Sequence, residues 1–275
     1  MTGQLSNLQT RVVSAVVLGI AALALTWLGG LPFRLLAALI AGAIFYEWTH
    51  MTRAKAGPGL GFVPEASMLV FLGVLVAGLP AMPTLVVLVA AVAIAAIVGA
   101  MRGAGQWDAV GVAYAGLSGF SLAFLRDSDW SGLAAVLFLF AVVWATDIFA
   151  YFVGRAVGGP KLAPAISPGK TQSGALGGAV FGLAAGLLLA LVLGLSNLAT
   201  LALVALFLSI VAQAGDLFES WVKRRHDCKD SSAIIPGHGG VMDRVDGLVA
   251  AAAALYLIGW MAGSADHPAH GLFPV

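Results

Sequence analysis

Six of the thirteen acidic residues and five of the fourteen basic residues of this 275-residue chain fall in one stretch, GDLFESWVKRRHDCKDSSAIIPGHGGVMDRVD, which runs from Gly215 to Asp246. The rest of the chain is strongly apolar. A charge in or beside a bilayer is costly unless it is paired, hydrated or metal-bound, so such a cluster marks a working site. Carboxylates, lysines, arginines and a glycine loop together point to phosphates and a divalent metal.

If a helix runs through SIVAQAGDLFESWVKRR, then Asp216, Glu219, Ser220 and Lys223 stand three, four and seven apart on one face, and that face looks inward. Gly215 removes a side chain where a backbone or a ligand comes close. The simpler alternative is a solvated helix end in which Asp216 and Glu219 pair with Lys223, worth about 0.5 kcal/mol. Downstream, Pro236-Gly237-His238-Gly239-Gly240 breaks regular helix and leaves glycine N–H groups able to approach an anion. The next helix starts near Val241. Its positive end would sit beside a phosphate, with Asp243 and Asp246 on one face of its first turn.

Mg²⁺ takes a few carboxylates, keeps several waters and bridges substrate phosphates, so Asp216, Asp243 and Asp246 form a candidate first shell, with Asp230 as a weaker fourth. Lys223, Arg224, Lys229 and Arg244 are candidates for neutralising a triphosphate and its leaving group. Arg225 reads equally well as a membrane-surface anchor. His238, between glycines, is a candidate hydrogen-bond donor to phosphate or substrate; the alternative is an ordinary loop histidine.

A second polar segment reads WATDIFAYFVGR and then KLAPAISPGKTQSG. Asp147 lies in an apolar span with Tyr151 four residues on, and a carboxylate there suggests a nucleobase, ribose or metal contact. Ser167-Pro168-Gly169-Lys170-Thr171 puts a lysine and hydroxyls on a turn, but lacks the spacing of a P-loop. Glu47, Trp48 and His50, with Tyr46, read as interfacial residues at the end of a helix.

The elements that must position these groups are membrane helices. The chain is 60% hydrophobic and 10% charged, against roughly 25% charged in a soluble domain, and its mean hydropathy is +0.98. Apolar windows near 12–29, 35–50, 66–82, 84–101, 109–125, 132–153, 174–193, 197–217 and 246–263 predict an all-α, polytopic transmembrane bundle of about nine helices. Arg11 with the apolar run after it reads as an uncleaved first helix rather than a signal peptide. LGGLPF, GLPAMP and GLSN read as tight turns. Residues 1–131 read as N-terminal membrane helices and 132–275 as C-terminal helices carrying the catalytic loops, in a single unit.

With nine spans, twelve of the fourteen basic residues share one side and Arg34 and Arg126 the other. The positive-inside rule then puts both polar loops, 154–173 and 218–245, in the cytoplasm. A net charge of +1 gives no argument for nucleic acid as a partner. Cys228 is the single cysteine, so there is neither an intrachain disulfide nor a cysteine-type zinc site.

The run Ser220-x-x-Lys223-Arg224-x4-Lys229-Asp230-x5-Pro236-x-His238-Gly239-Gly240-x-x-Asp243-Arg244-x-Asp246 resembles the signature of phosphatidate cytidylyltransferases. The resemblance extends through Gly215-Asp216-Leu217, Asp147-x-x-Ala150-Tyr151-x-x-Gly154-Arg155 and Ile166-Ser167-Pro168, and so covers the C-terminal half. The N-terminal half shares membrane helices and a Glu47-Trp48 pair. Where that family usually reads Ser-Pro-Lys-Lys-Thr-x-Glu-Gly, this chain has Gly169 for the first lysine and Ser173 for the glutamate.

The resemblance implies transfer of CMP from CTP to phosphatidate with Mg²⁺ in the cytoplasmic membrane, by a homodimer. It implies substrate contacts at Asp147, Tyr151, Ser167, Lys170, Thr171, Ser220, Gly239 and Gly240. Two other classes compete with it. An ion-coupled transporter would spread polar residues through mid-membrane, and a CTP-dependent lipid or polyprenol kinase would transfer the γ-phosphoryl group instead.

Overall fold

The computed structural model describes residues 7–53, 62–103, 105–235 and 239–274. Pro236, Gly237 and His238 lie outside the described residues, as does Lys55, so the reading of His238 finds no counterpart here. Nine helices form among the described residues: α1 (Asn7–Leu28), α2 (Gly30–Arg53), α3 (Val63–Ala77), α4 (Ala81–Arg102), α5 (Trp107–Arg126), α6 (Trp130–Val157), α7 (Gln172–Val192), α8 (Leu198–Arg225) and α9 (Met242–Ala262). Seven are long and apolar enough to cross a membrane; the apolar runs Val13–Leu28 and Val63–Ala77 are shorter. The protein is an all-α, multi-pass membrane protein.

Two local readings change. LGGLPF is almost entirely helical, because α1 ends at Leu28 and α2 begins at Gly30; the reversal falls on Gly29 at φ 62°, and Pro32 sits in the first turn of α2, where no intrahelical N–H is needed. Ser167–Thr171 is a strand, β2, rather than a turn. It pairs antiparallel with β1 (Lys161–Ala163), with Lys161 opposite Thr171 and the turn at 164–166. The residues are turn formers, but pairing satisfies their backbone groups.

The core is built by α5 and α6, whose inner faces are buried along most of their length. α7 lies against α6 through Gly174, Gly178, Gly182 and Gly186, all buried. A Cβ at Gly178 would stand 2.8 Å from the Thr146 carbonyl oxygen, so small residues here permit the close helix contact that replaces hydrophobic drive in lipid. Thr146 and Ser209 join α6 to α8 through their hydroxyls at 2.7 Å. At one end of the bundle Arg126 is buried and donates to the Trp27 and Asp129 carbonyls at 3.1 Å, closing the end of α1. At the other end Arg53 donates to the buried Asp108, with Nη2–Oδ2 at 2.9 Å.

α8 and α9 meet at two glycines. A Cβ on Gly215 would lie 2.9 Å from the Asp246 carbonyl oxygen, and one on Gly247 would lie 3.0 Å from that of Ala212. The neighbours of Gly215 are thus the Ala250 methyl group and the α9 backbone, and the crossing sets Asp216 beside Asp246.

Candidate active site

The long α8 confirms the helical spacing around Asp216, because it continues to Arg225. Glu219 is fully buried and Asp216, Ser220 and Lys223 are half-buried, so the shared face looks inward. The Ser220 hydroxyl donates to Asp216 Oδ1 at 3.3 Å, while Asp216 Oδ2 pairs with Lys170 of β2. The hairpin therefore folds a cation onto the α8 carboxylate.

Asp147, Tyr151, Lys170, Thr171 and Asp216 line a cavity of about 640 Å³ between α6, the hairpin, α7 and α8. Arg155 and Lys161 line its rim, and Arg155 donates to the Tyr151 hydroxyl at 3.1 Å. Asp147 is exposed to this space rather than to packed helix. Asp246, Asp216 and Asp147 lie within electrostatic reach of one another, with Lys170 the cation that acts on Asp147 and Asp246. Asp246 Oδ1 takes the Gly247 N–H at 2.7 Å.

Thr171 caps α7, its hydroxyl accepting from the Gly174 N–H at 3.1 Å, and so fixes where β2 ends and the helix begins. Ser173, which stands where the related signature has an acid, donates to the Gly158 carbonyl and ties the hairpin to the end of α6. Ser167 is half-buried at the start of β2, opposite Ala163. Arg224 reaches away from the cavity, donating to the Ile166 and Cys228 carbonyls at 3.3 Å. Lys229 and Asp230 are exposed on the loop, and Arg244 is exposed on α9.

Asp243 is the centre of a separate knot. Its Oδ1 accepts from Lys223 Nζ at 2.7 Å; its Oδ2 accepts from the Ser231 N–H at 3.0 Å, the Ser231 hydroxyl at 2.9 Å and the Gly240 N–H at 2.8 Å. Lys223 also stands 2.9 Å from Glu219 Oε1. Gly239 pairs with Ile235 in an isolated bridge at φ 83°, a conformation that favours glycine.

The expected interfacial placement of Glu47 and Trp48 is overturned, since both are fully buried. Glu47 Oε1 accepts from the Ser232 hydroxyl and the Val241 N–H at 2.7 and 2.8 Å; Oε2 accepts from the Ser231 hydroxyl and the Met242 N–H at 3.0 and 2.7 Å. The start of α9 does hold an anion, as its free N–H groups and dipole dictate, but the anion is Glu47. The Gly240 N–H is likewise taken by Asp243, while Pro236, Gly237 and His238 of the glycine loop lie outside the described residues. Trp48 donates Nε1–H to the Trp107 carbonyl at 2.8 Å and faces Tyr114 and Phe218 at ring separations of 5.5 and 6.4 Å.

Sequence reading missed Ser231, Ser232 and Tyr114 as well. The Tyr114 hydroxyl and Glu219 Oε2 are buried without hydrogen-bond partners among the described residues, while Glu219 Oε1 pairs with Lys223; Tyr114 lies within electrostatic reach of Glu219, Asp246 and Asp216.

Comparison with known proteins shows the family. The family model described as "Cytidylyltransferase family" matches residues 9–262. The chain belongs to that family. It is 49% identical over 264 residues to the phosphatidate cytidylyltransferase of Brucella suis biovar 1 (strain 1330), covering 96% of this chain and 97% of that protein. It is 48% identical to that of Brucella melitensis biotype 1 over the same shares. With the Bacillus subtilis (strain 168) enzyme it shares 31% identity over 268 residues, 92% of this chain and 97% of the relative.

Proposed function

We propose that this protein transfers CMP from CTP to phosphatidate, producing CDP-diacylglycerol and pyrophosphate for phospholipid synthesis. The observation that carries the reading is the Lys170–Asp216 pair at the mouth of the cavity, where a basic hairpin meets the acidic ends of two membrane helices. A soluble, highly charged nucleotide and a lipid phosphate need such a meeting place at a helix end. An ion-coupled transporter has no use for it.

Asp216 and Asp246, with Asp147 close by, are hard oxygen donors carrying more negative charge than Lys170 balances, and they fit Mg²⁺. Asp243 Oδ1, with Lys223 as its one protein partner here, stands at the edge of this set. Bound Mg²⁺ would neutralise triphosphate charge and favour departure of pyrophosphate. Lys170, Lys161 and Arg155 would hold the triphosphate, Tyr151 and Asp147 the nucleoside side, and Thr171, Ser167 and Ser220 the polar wall. Lys223, held by Glu219 and Asp243, faces the lipid phosphate. In this proposal Arg224 at the end of α8, Lys229 and Asp230 on the loop and Arg244 on α9 add polar groups beside the site, and His238, Gly239 and Gly240 would contact the substrate.

A phosphatidate oxygen attacks the α-phosphorus of CTP; its bond to that phosphorus forms as the bond to the bridging pyrophosphate oxygen breaks. A phosphate monoester is largely ionised at neutral pH, with a second pKa of about 6, so positioning and charge neutralisation carry the step rather than a strong base. The basic excess at the ends of α2, α4, α6 and α8 supports a cytoplasmic active site in the inner membrane, and the family resemblance supports a homodimer. Assaying the anion released from CTP, phosphatidate and Mg²⁺ tests the reading. Pyrophosphate is expected, and CDP would mean a kinase.

A further inference from the structure

At the end of the bundle opposite the acidic site, two carboxylates and two histidines converge. α9 has 21 residues, about 30 Å of helix, so this place is remote from Asp246. The turn between α5 and α6 reads Asp127-Ser128-Asp129, and the segment after α9 reads His267-Pro268-Ala269-His270. His267 Nδ1 pairs with Asp127 Oδ2, and His270 Nε2 pairs with Asp129 Oδ2. The two imidazole rings stack with centroids 4.9 Å apart and 13° between planes. Ligand atoms from Asp127, His267 and His270 all lie within 4.8 Å of one another.

We propose that Asp127, Asp129, His267 and His270 form a binding site for a transition-metal dication, with Zn²⁺ as the fitting ion. Two imidazoles and carboxylates suit zinc, whereas Mg²⁺ and Ca²⁺ prefer all-oxygen sets. Zinc bonds of about 2.0–2.2 Å place tetrahedral donors about 3.3 Å apart, so the Asp127, His267 and His270 donors, all within 4.8 Å of one another, need to close by at most about 1.5 Å, and Asp129 joins them through its pairing with His270.

The surroundings are built to allow that closure. Each carboxylate is anchored by its other oxygen: Asp127 Oδ1 accepts from the Ser128 N–H at 2.7 Å, and Asp129 Oδ1 caps α6 through the Gly132 N–H at 2.9 Å. Each Oδ2 is thereby aimed at a histidine. The histidine turn is pinned from beneath, with Ala269, Leu272 and Phe273 buried, and from beside, with the Ala81 N–H donating to Asp266 at 2.6 Å. The imidazole side chains themselves are about half exposed, 53% and 49%, so an ion reaches their nitrogens from solvent. A cavity of about 510 Å³ opens beside Asp127 and His267 and gives access. A metal would replace the imidazole protons that now bridge to the carboxylates and lock the C-terminal segment onto the α5–α6 turn.

The test is Zn²⁺ binding to the full chain in detergent with Mg²⁺ in excess, so that the acidic site is not available to zinc. Wild type is expected to bind one Zn²⁺ per chain with a rise in thermal midpoint, and His267→Gln/His270→Gln is expected to lose both while keeping its turnover with Mg²⁺. Asp127→Asn is expected to weaken binding at least tenfold. On wild type alone, Co²⁺ is expected to give the intense visible absorption of a four-coordinate ion with nitrogen ligands. Absence of saturable Zn²⁺ binding, zinc binding unchanged in the double variant, or a weak six-coordinate Co²⁺ spectrum would each overturn the proposal, leaving two simple histidine–aspartate pairs.

Discussion

Glu47 of α2 accepts the Met242 N–H of α9 at 2.7 Å, linking positions 195 residues apart at the base of the acidic site. The same carboxylate holds Val241, Ser231 and Ser232, so one buried side chain sets where α9 starts and where the loop before it lies. Glu47→Ala takes the acceptor from the Met242 and Val241 N–H groups and the Ser232 hydroxyl, while the Ser231 hydroxyl keeps Asp243, and is expected to destabilise the protein by about 3 kcal/mol and cut turnover at least tenfold. Glu47→Gln, which keeps the shape but adds a donor, is expected to fall between. Thermal melts and turnover in detergent check this; an alanine variant with wild-type values of both would remove Glu47 from this role.

Asp246 and Asp243 sit three residues apart but do different work. Asp246→Asn is expected to abolish turnover while leaving the melting temperature within a few degrees of wild type. Asp243→Asn loses one of the two charged partners of Lys223, Glu219 being the other, and is expected to lower stability by about 2 kcal/mol, while retaining the Mg²⁺ concentration dependence of its residual activity. Paired Mg²⁺ titrations and melts separate the two, and the reverse pattern would exchange their roles.

Lys170 pairs with Asp216, and in the proposed reading it offsets the triphosphate once CTP binds. Lys170→Met is expected to raise the KM for CTP at least tenfold, about 1.4 kcal/mol of lost binding, with a much smaller change in the KM for phosphatidate. Steady-state kinetics with each substrate varied in turn reads this out. Equal effects on both substrates would contradict the assignment of the hairpin to the nucleotide.

The Cys228 thiol, outside the helices, is pushed up by burial above the usual cysteine range, with Lys223 and Arg224 pulling the other way. A raised value means less thiolate at any pH below it, so maleimide labelling near pH 7.5 is expected to run slower than with a free cysteine and to accelerate as pH rises. Labelling as fast as the free amino acid would show an open loop.

The helices were legible because lipid demands about 20 apolar residues per span, and a window fell on each of the nine, although the window for α8 stops at 217 while the helix runs on to Arg225 because its last turns are polar. The pairing of Asp216 with Asp246 was legible in part: helical spacing put each on an inner face, but only the Gly215 and Gly247 crossing brings the faces together. Glu47 was not legible, because an acid near a helix end with an aromatic neighbour matches an interfacial residue, and its partners lie 184 to 195 positions away. Ser231 and Ser232 carry no pattern at all. The hairpin was hidden for a different reason, since Pro168 and Gly169 are turn formers that pairing overrides.

The central claim is that the CMP unit of CTP moves to lipid at this site. The most direct measurement uses CTP labelled separately at the α and γ phosphates, incubated with phosphatidate, Mg²⁺ and either wild type or Asp246→Asn. The account predicts α label in lipid and γ label in free pyrophosphate with wild type, and neither with the variant. Label from γ in the lipid, or α label transferred equally by the variant, would contradict it.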